Sequence, residues 1–120
     1  MASAAELIRG AVERVQDEVP ALARLKLVFG LELRGRGDVQ AYRVEVPGPR
    51  ISKGFGDDER VHVLVPRSHF NELAARGHLR DWREAYDHGH VKVEGDPEVR
   101  KLIGTVIGRQ LARAQLRRAR

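Results

Sequence analysis

Five histidines, His62, His69, His78, His88 and His90, are the side chains in this chain best suited to metal ligation or proton transfer at neutral pH. His88-Gly89-His90 is the one pair at short spacing, and alternate residues of an extended strand share a face on which a metal can sit. No Asp or Glu cluster is placed to complete that site, so the pair reads as two exposed histidines flanking a turn. Ser3, Ser52 and Ser68 sit in no Gly-x-Ser-x-Gly elbow and have no base beside them in sequence, which argues against serine hydrolysis. The chain has no cysteine, so disulfides, thiolate nucleophiles and cysteine-ligated zinc are excluded together.

Two glycine-containing loops, Gly35-Arg36-Gly37 and Lys53-Gly54-Phe55-Gly56, invite a phosphate reading. Neither leads from a strand into a helix, as a phosphate-cradling loop must, and turn duty accounts for both. Asp57, Asp58 and Glu59 cluster without the alternate oxygen ligands and closing glutamate of a calcium loop, and form a solvated turn. The residue chemistry thus predicts a protein that is not an enzyme and carries no metal or cofactor.

A chain of 120 residues suffices for one domain, residues 1–120, burying roughly two-thirds of the surface its unfolded form exposes. Hydrophobic residues make up 42% and charged residues 32%, a globular balance. No run approaches the roughly 20 apolar residues that span a bilayer, and Met1 to Gly10 lacks the apolar core of a signal peptide, so a soluble cytoplasmic protein is expected.

The elements follow from changes of period. Ser3 and Glu6 fit a capping box ahead of a first helix whose Leu7, Ile8, Ala11, Val12, Val15 and Val19 recur at helical spacing up to Pro20. From Leu25 the period becomes two: Leu25, Leu27, Phe29, Leu31 and Leu33 predict a strand, and Val39 to Val46 predicts its hairpin partner. A short strand over Ile51 to Phe55 and another through Val61, Val63 and Val65 follow. Helical spacing returns with Ser68 as cap before Phe70, Leu73 and Ala74, and Gly77 as stop. A second short helix buries Leu79, Trp82, Ala85 and Tyr86 and ends at Gly89. His90 to Glu94 predicts a strand, after which Gly95 turns the chain, Asp96 caps and Pro97 opens a long helix.

That last helix carries Val99, Leu102, Ile103, Val106, Ile107, Leu111 and Ala114 on one side, so it walls the domain. It also holds Gly104 and Gly108, each about 0.5 to 1 kcal/mol worse than alanine in a helix interior. Such spacing admits a close neighbour, a bound apolar molecule or a second backbone. Net charge is +5 overall, and from Pro97 onward it is +6, from Arg100, Lys101, Arg109, Arg113, Arg117, Arg118 and Arg120 against Glu98. Cations near a helix C-terminus suit its dipole and form a solvated face, and they also suit an anionic membrane surface. Arg109, Arg113, Arg117 and Arg120 share a stripe, but few aromatics interleave with the arginines, which argues against nucleic acid.

The order of elements resembles the sterol carrier protein type 2-like domains over roughly residues 5 to 112, with a distinctive pattern only in residues 61 to 103. Val61 to Val65 leading into Ser68-His69-Phe70-Asn71-Glu72-Leu73, then Gly77, then Trp82 through Asp96 look like that family's central strand, anchored short helix, glycine, and strand ending in Gly-Asp. The resemblance implies an α+β fold in which a five-stranded, mainly antiparallel sheet is covered on one face by helices, with an apolar tunnel for a fatty acyl chain, sterol-like molecule or other lipid. Carried onto this chain, it implies a lining of Phe29, Leu31, Leu33, Val44 and Val63 from the strands and Phe70, Leu73, Trp82 and Tyr86 from the short helices. Leu102, Ile103, Val106 and Ile107 close it from the last helix. The function implied is a non-catalytic carrier domain; the alternative is an interaction or dimerisation module with a filled core, docking a second copy or a partner protein through the last helix.

Overall fold

The computed structural model describes residues 3–118 and, of Arg118, the backbone alone; Met1, Ala2, Ala119 and Arg120 lie outside the described residues. Ten segments follow one another: α1 (Ala4–Glu18), a 3₁₀ turn (Leu22–Arg24), β1 (Leu27–Arg34), β2 (Val39–Val46), β3 (Arg50–Lys53), β4 (Val61–Pro66), α2 (Arg67–Arg76), α3 (Leu79–Asp87), β5 (Lys92–Gly95) and α4 (Pro97–Arg118). The strands make one sheet in the order β3-β2-β1-β4-β5. β1 pairs antiparallel with β2 and parallel with β4, while the outer pairs are antiparallel, so the expected mainly antiparallel five-stranded sheet is what forms.

Register decides which side chains meet. Phe29 lies opposite Val44 on β2 and Val61 on β4, and Leu31 opposite Tyr42 and Val63. Because side chains alternate along each strand, these residues share one face of the sheet. The helices cover that face: Leu31, Leu33, Tyr42, Val44 and Val65 form one buried cluster with Ile8 and Ala11 of α1, Phe70 and Ala74 of α2, Ala85 of α3, and Val91. Arg14 of α1 donates to the carbonyl of Ala74 at 3.0 Å, tying α1 to the end of α2. The opposite face is polar at its centre, where Arg43 pairs with Asp58 and Glu45.

Several boundaries differ from expectation for identifiable reasons. β1 begins at Leu27 because the N–H of Leu25 closes the 3₁₀ turn on Leu22 at 3.1 Å. β3 spans Arg50–Lys53 and stops where Gly54 takes φ +84°. Helix α2 starts at Arg67, directly from extended Pro66, so Ser68 lies inside the helix and makes no capping bond. Gly77 does end α2, yet with φ −74°; its lack of a side chain matters because a Cβ would fall 2.6 Å from the carbonyl oxygen of Leu73. The strand expected over His90 to Glu94 runs Lys92–Gly95, with Val91 buried just before it.

The turn into α4 is held from three directions. Asp96 Oδ1 accepts the N–H of Glu98 at 2.9 Å and of Val99 at 3.4 Å, as an N-cap does. The other carboxylate oxygen of Asp96 pairs with Arg60, and the Asp96 N–H donates to the Arg60 carbonyl at 3.0 Å. Gly95 takes φ +120°, and a Cβ there would sit 2.5 Å from the Arg60 oxygen, so geometry and space both demand glycine.

Candidate functional site: an apolar cavity between sheet and helices

The layer between sheet and helices is not filled. A cavity of about 280 Å³ lies there, lined by apolar side chains apart from Gln16. Its floor is the helix-covered face of the sheet: Leu27, Phe29 and Leu31 of β1, Val46 of β2, Val61 and Val63 of β4, and Val93 of β5. One wall is α1, through Ile8, Ala11, Val12, Val15 and Gln16; Leu22, Leu25 and Phe70 add to it. Leu79 and Trp82 of α3 and Ile103 and Ile107 of α4 complete the lining. The Phe70 and Trp82 rings meet edge to face, with centroids 6.1 Å apart. Gln16 turns its amide away from the apolar space in part, donating to the Pro47 carbonyl at 3.0 Å.

Of the residues expected to line a tunnel, Phe29, Leu31, Val63, Phe70, Trp82, Ile103 and Ile107 come together here. The other six do not. Leu33 and Val44 point to the same sheet face but lie in the packed part of the core, at 1% and 0% exposure, and Leu73 packs half-buried against that core. Tyr86 is 50% exposed, because helical periodicity puts Ala85, not Tyr86, inward from α3. Leu102 is 48% exposed and lies in a shallow groove with Leu25 and Pro47, while Val106 lines a different groove beside Arg109 and Gln110. The contributions of Ile8, Val12 and Val15 were not anticipated as lining, although the stripe that places them was plain in α1.

Helix α4 differs from the expected packed wall. Among its described side chains none is fully buried; Val99, Ile103, Val106, Ile107, Leu111 and Ala114 are half-buried. The wall therefore faces open space where a core helix would face side chains. Gly104 and Gly108 do not explain this, since a Cβ at either would meet no atom within 4 Å. Among the described residues no close neighbour offsets their cost.

Polar groups do not converge on the cavity. Three of the five histidines gather elsewhere: His69 stacks on His90 at a centroid distance of 4.3 Å, and His88 lies 6.3 Å from His90. His88 caps α3 and His90 precedes β5, so the extended strand that would align them is absent at that point. Among the described residues no group of three or more His, Asp or Glu side chains is arranged to hold a metal ion. The strongest electrostatic perturbations lie on the surface: the Arg43 guanidinium holds the Asp58 carboxyl below the usual carboxylate range, and Arg60 does the same to Asp96.

A five-stranded sheet with one parallel pairing and helices on one face defines an α+β class of fold. Comparison with solved structures makes it specific: the fold is that of the sterol carrier protein 2-like domains. The palmitated sterol carrier protein 2-like 2 from Aedes aegypti, solved by NMR, superposes with TM-score 0.58 at 18% identity, over 83% of this chain and 93% of that one. The crystal structure of the same Aedes aegypti protein gives TM-score 0.57 at 17% identity, over 87% and 99%. A segment of the sec-alkyl sulfatase PisA1 gives TM-score 0.60 at 16% identity, covering 89% of this chain and only 16% of the enzyme. At these identities the likeness is one of fold. No family model matches the sequence, and no curated protein matches it. No helix among the described residues is long and apolar enough to cross a membrane.

Proposed function

We propose that this domain is a non-catalytic binding or carrier module that holds one apolar chain, such as a fatty acyl group or a comparable lipid, between its sheet and its helices. The carrying observation is the cavity itself, about 280 Å³ with a lining that is apolar except for Gln16. That volume lies near the lower end of the roughly 300 to 1,000 Å³ typical of ligand pockets, which favours a slender chain over a bulky ring system. Binding rests on area burial, at roughly 25 cal/mol per Å² of apolar surface removed from water. The palmitated Aedes aegypti structure supports the same chemistry, since it shares the fold. Phe29, Leu31, Val63, Phe70, Trp82, Ile103 and Ile107 are the contacts we assign to the ligand, with Ile8, Val12, Val15 and Leu79 added.

A module with a filled core, docking a partner through α4, is not favoured by an unfilled space at this position. The recurrence of the fold as 16% of a sulfatase chain supports a duty as part of larger systems, in which the domain holds an apolar group for another protein. A cytoplasmic setting belongs to this reading and is checked by cell fractionation.

Trp82 is the sole tryptophan and lines the cavity, so its emission reports occupancy without interference. Titration of delipidated protein with palmitate is expected to shift that emission in a saturable way, and native mass spectrometry is expected to show one bound chain. Emission indifferent to every fatty acid tried, with only ligand-free protein recovered from cells, would sink the carrier reading.

A further inference from the structure

One flank of α4 plays no part in the cavity, yet it is not a plain solvated face. Leu102 and Leu116 are 48% and 68% exposed. They are fourteen residues apart, which at about 100° per residue brings them within about 40° of each other around the helix. Arg109 stands seven residues from each, on the line between them, and Arg113 falls on the same strip. Arg109, Arg113 and Arg117 enter none of the ion pairs formed among the described residues.

The strip borders a broad shallow groove that adds Arg24 and Arg80 to the same arginines. Its acids are Asp17 and Glu18, and Glu18 is already engaged by the Leu79 N–H and by His78. Positive charge is thus in excess beside two exposed leucines. Leu79 lines both this groove and the apolar cavity, so the basic surface adjoins the cavity wall.

Three occupants compete for such a surface. Nucleic acid is poorly served, because among the described residues no Phe, Tyr or Trp lines the groove to stack a base, and its one ring, His78, is held against Glu18. A second copy of the helix across a two-fold axis would set Arg109, at the centre of the strip, against its own mate. An anionic bilayer suits both features: arginines meet headgroup phosphates while the leucines reach the acyl boundary.

We propose that this flanking strip of α4 docks the domain on an anionic lipid surface, with Leu102 and Leu116 inserted and Arg109, Arg113 and Arg117 at the headgroups. The strip stands on its own geometry; that docking also delivers ligand to the cavity rests on the carrier reading above.

Sedimentation of the full chain with vesicles is the test. The protein is expected to partition onto phosphatidylcholine mixed with phosphatidylserine, to ignore pure phosphatidylcholine, and to release progressively with salt. Each arginine near such a surface contributes about fivefold, so R109Q/R113Q/R117Q is expected to lower the partition coefficient roughly a hundredfold. L102S/L116S is expected to keep the attraction at low salt and lose the part that survives high salt. The salt comparison uses unmodified protein and is independent of whether the variants fold; circular dichroism checks that they do. Equal binding to pure phosphatidylcholine, full binding by the arginine variant, or retention of duplex DNA or a dimer without vesicle binding each overturns the proposal. Fatty-acid uptake in vesicle-free buffer separates the two ideas: uptake without vesicle binding removes the docking strip alone, and vesicle binding without uptake removes the cavity reading alone.

Discussion

Glu18, at the end of α1, accepts the backbone N–H of Leu79 at 2.7 Å and lies 3.3 Å from His78 Nδ1, so the close of one helix caps the start of another. Leu79 is also a cavity wall, and this bond fixes where α3 begins beside it. Replacing Glu18 with alanine leaves that N–H to the weaker local alternatives and is expected to cost about 1 kcal/mol, the usual worth of an N-cap. The melting temperature followed by circular dichroism is then expected to fall by roughly 4 °C. Glu18→Gln keeps an acceptor and is expected to lose less; equal behaviour of the two variants would dismiss the cap.

Two glycines should respond to alanine in opposite directions. Gly95→Ala places a Cβ against the Arg60 carbonyl at φ +120°, and is expected to destabilise by about 2 kcal/mol or more in urea unfolding. Gly104→Ala meets nothing within 4 Å inside α4 and is expected to stabilise by about 0.5 to 1 kcal/mol. A loss of stability at Gly104 would reveal a neighbour not found among the described residues.

Asp96 makes part of the stability depend on pH. Its carboxyl is held below its ordinary value of 3.8, first by the hydrogen bond from Arg60 and then by the N–H of Glu98. A carboxylate whose folded pKa is depressed adds stability above the unfolded value, and that addition is lost as pH falls through the folded one. The difference in urea midpoint between the native protein and Asp96→Asn is therefore expected to be full near neutral pH, to shrink below about 3.8, and to vanish in stronger acid. A difference constant across that range would place the effect of the substitution outside this titration.

The cavity predicts a chain-length rule. Each methylene moved from water into the lining contributes about 0.8 kcal/mol, so two added carbons are expected to tighten binding roughly fifteenfold until the space is full. Beyond that length affinity should level off, and isothermal titration of saturated fatty acids locates the break. Ile107→Trp, which projects bulk into the cavity, is expected to weaken binding at least tenfold while changing stability by less than about 1.5 kcal/mol. Unaltered affinity in that variant would move the ligand elsewhere.

Periodicity carried much of the fold. The alternation through Phe29, Leu31 and Leu33 and through Val61, Val63 and Val65 marked strands whose inward faces are those observed. The Asp96 cap and the first-turn Pro97 were legible because their partners lie within three residues. What could not be read involves partners distant in sequence: Glu18 on Leu79, Arg14 on Ala74, Arg60 on Asp96. The lining of the cavity was half legible for a related reason. A stripe shows that Ile103 and Leu33 face inward, but not that Ile103 meets open space while Leu33 meets packed side chains. Apolar residues at adjacent positions widen a stripe past the edge of what a single contact covers, and Leu102 falls beyond that edge, in the groove with Leu25 and Pro47. Gly77 was right in place as the stop of α2, and what demands glycine there is a close approach to Leu73, a neighbour in space that spacing alone does not show.

Helix α4 follows every other wall of the cavity in chain order. During synthesis, then, the hairpin of β1 with β2, the parallel addition of β4 and the packing of α1 on the sheet can all precede it, and the trough bounded by Phe29, Val63 and Trp82 stays roofless until Ile103 and Ile107 arrive. The nascent domain thereby shows the ribosome's surroundings a sticky furrow for the time it takes to add those last turns. An apolar molecule that met the furrow at that stage would be enclosed by the closing of the roof, with no need to enter a finished cavity.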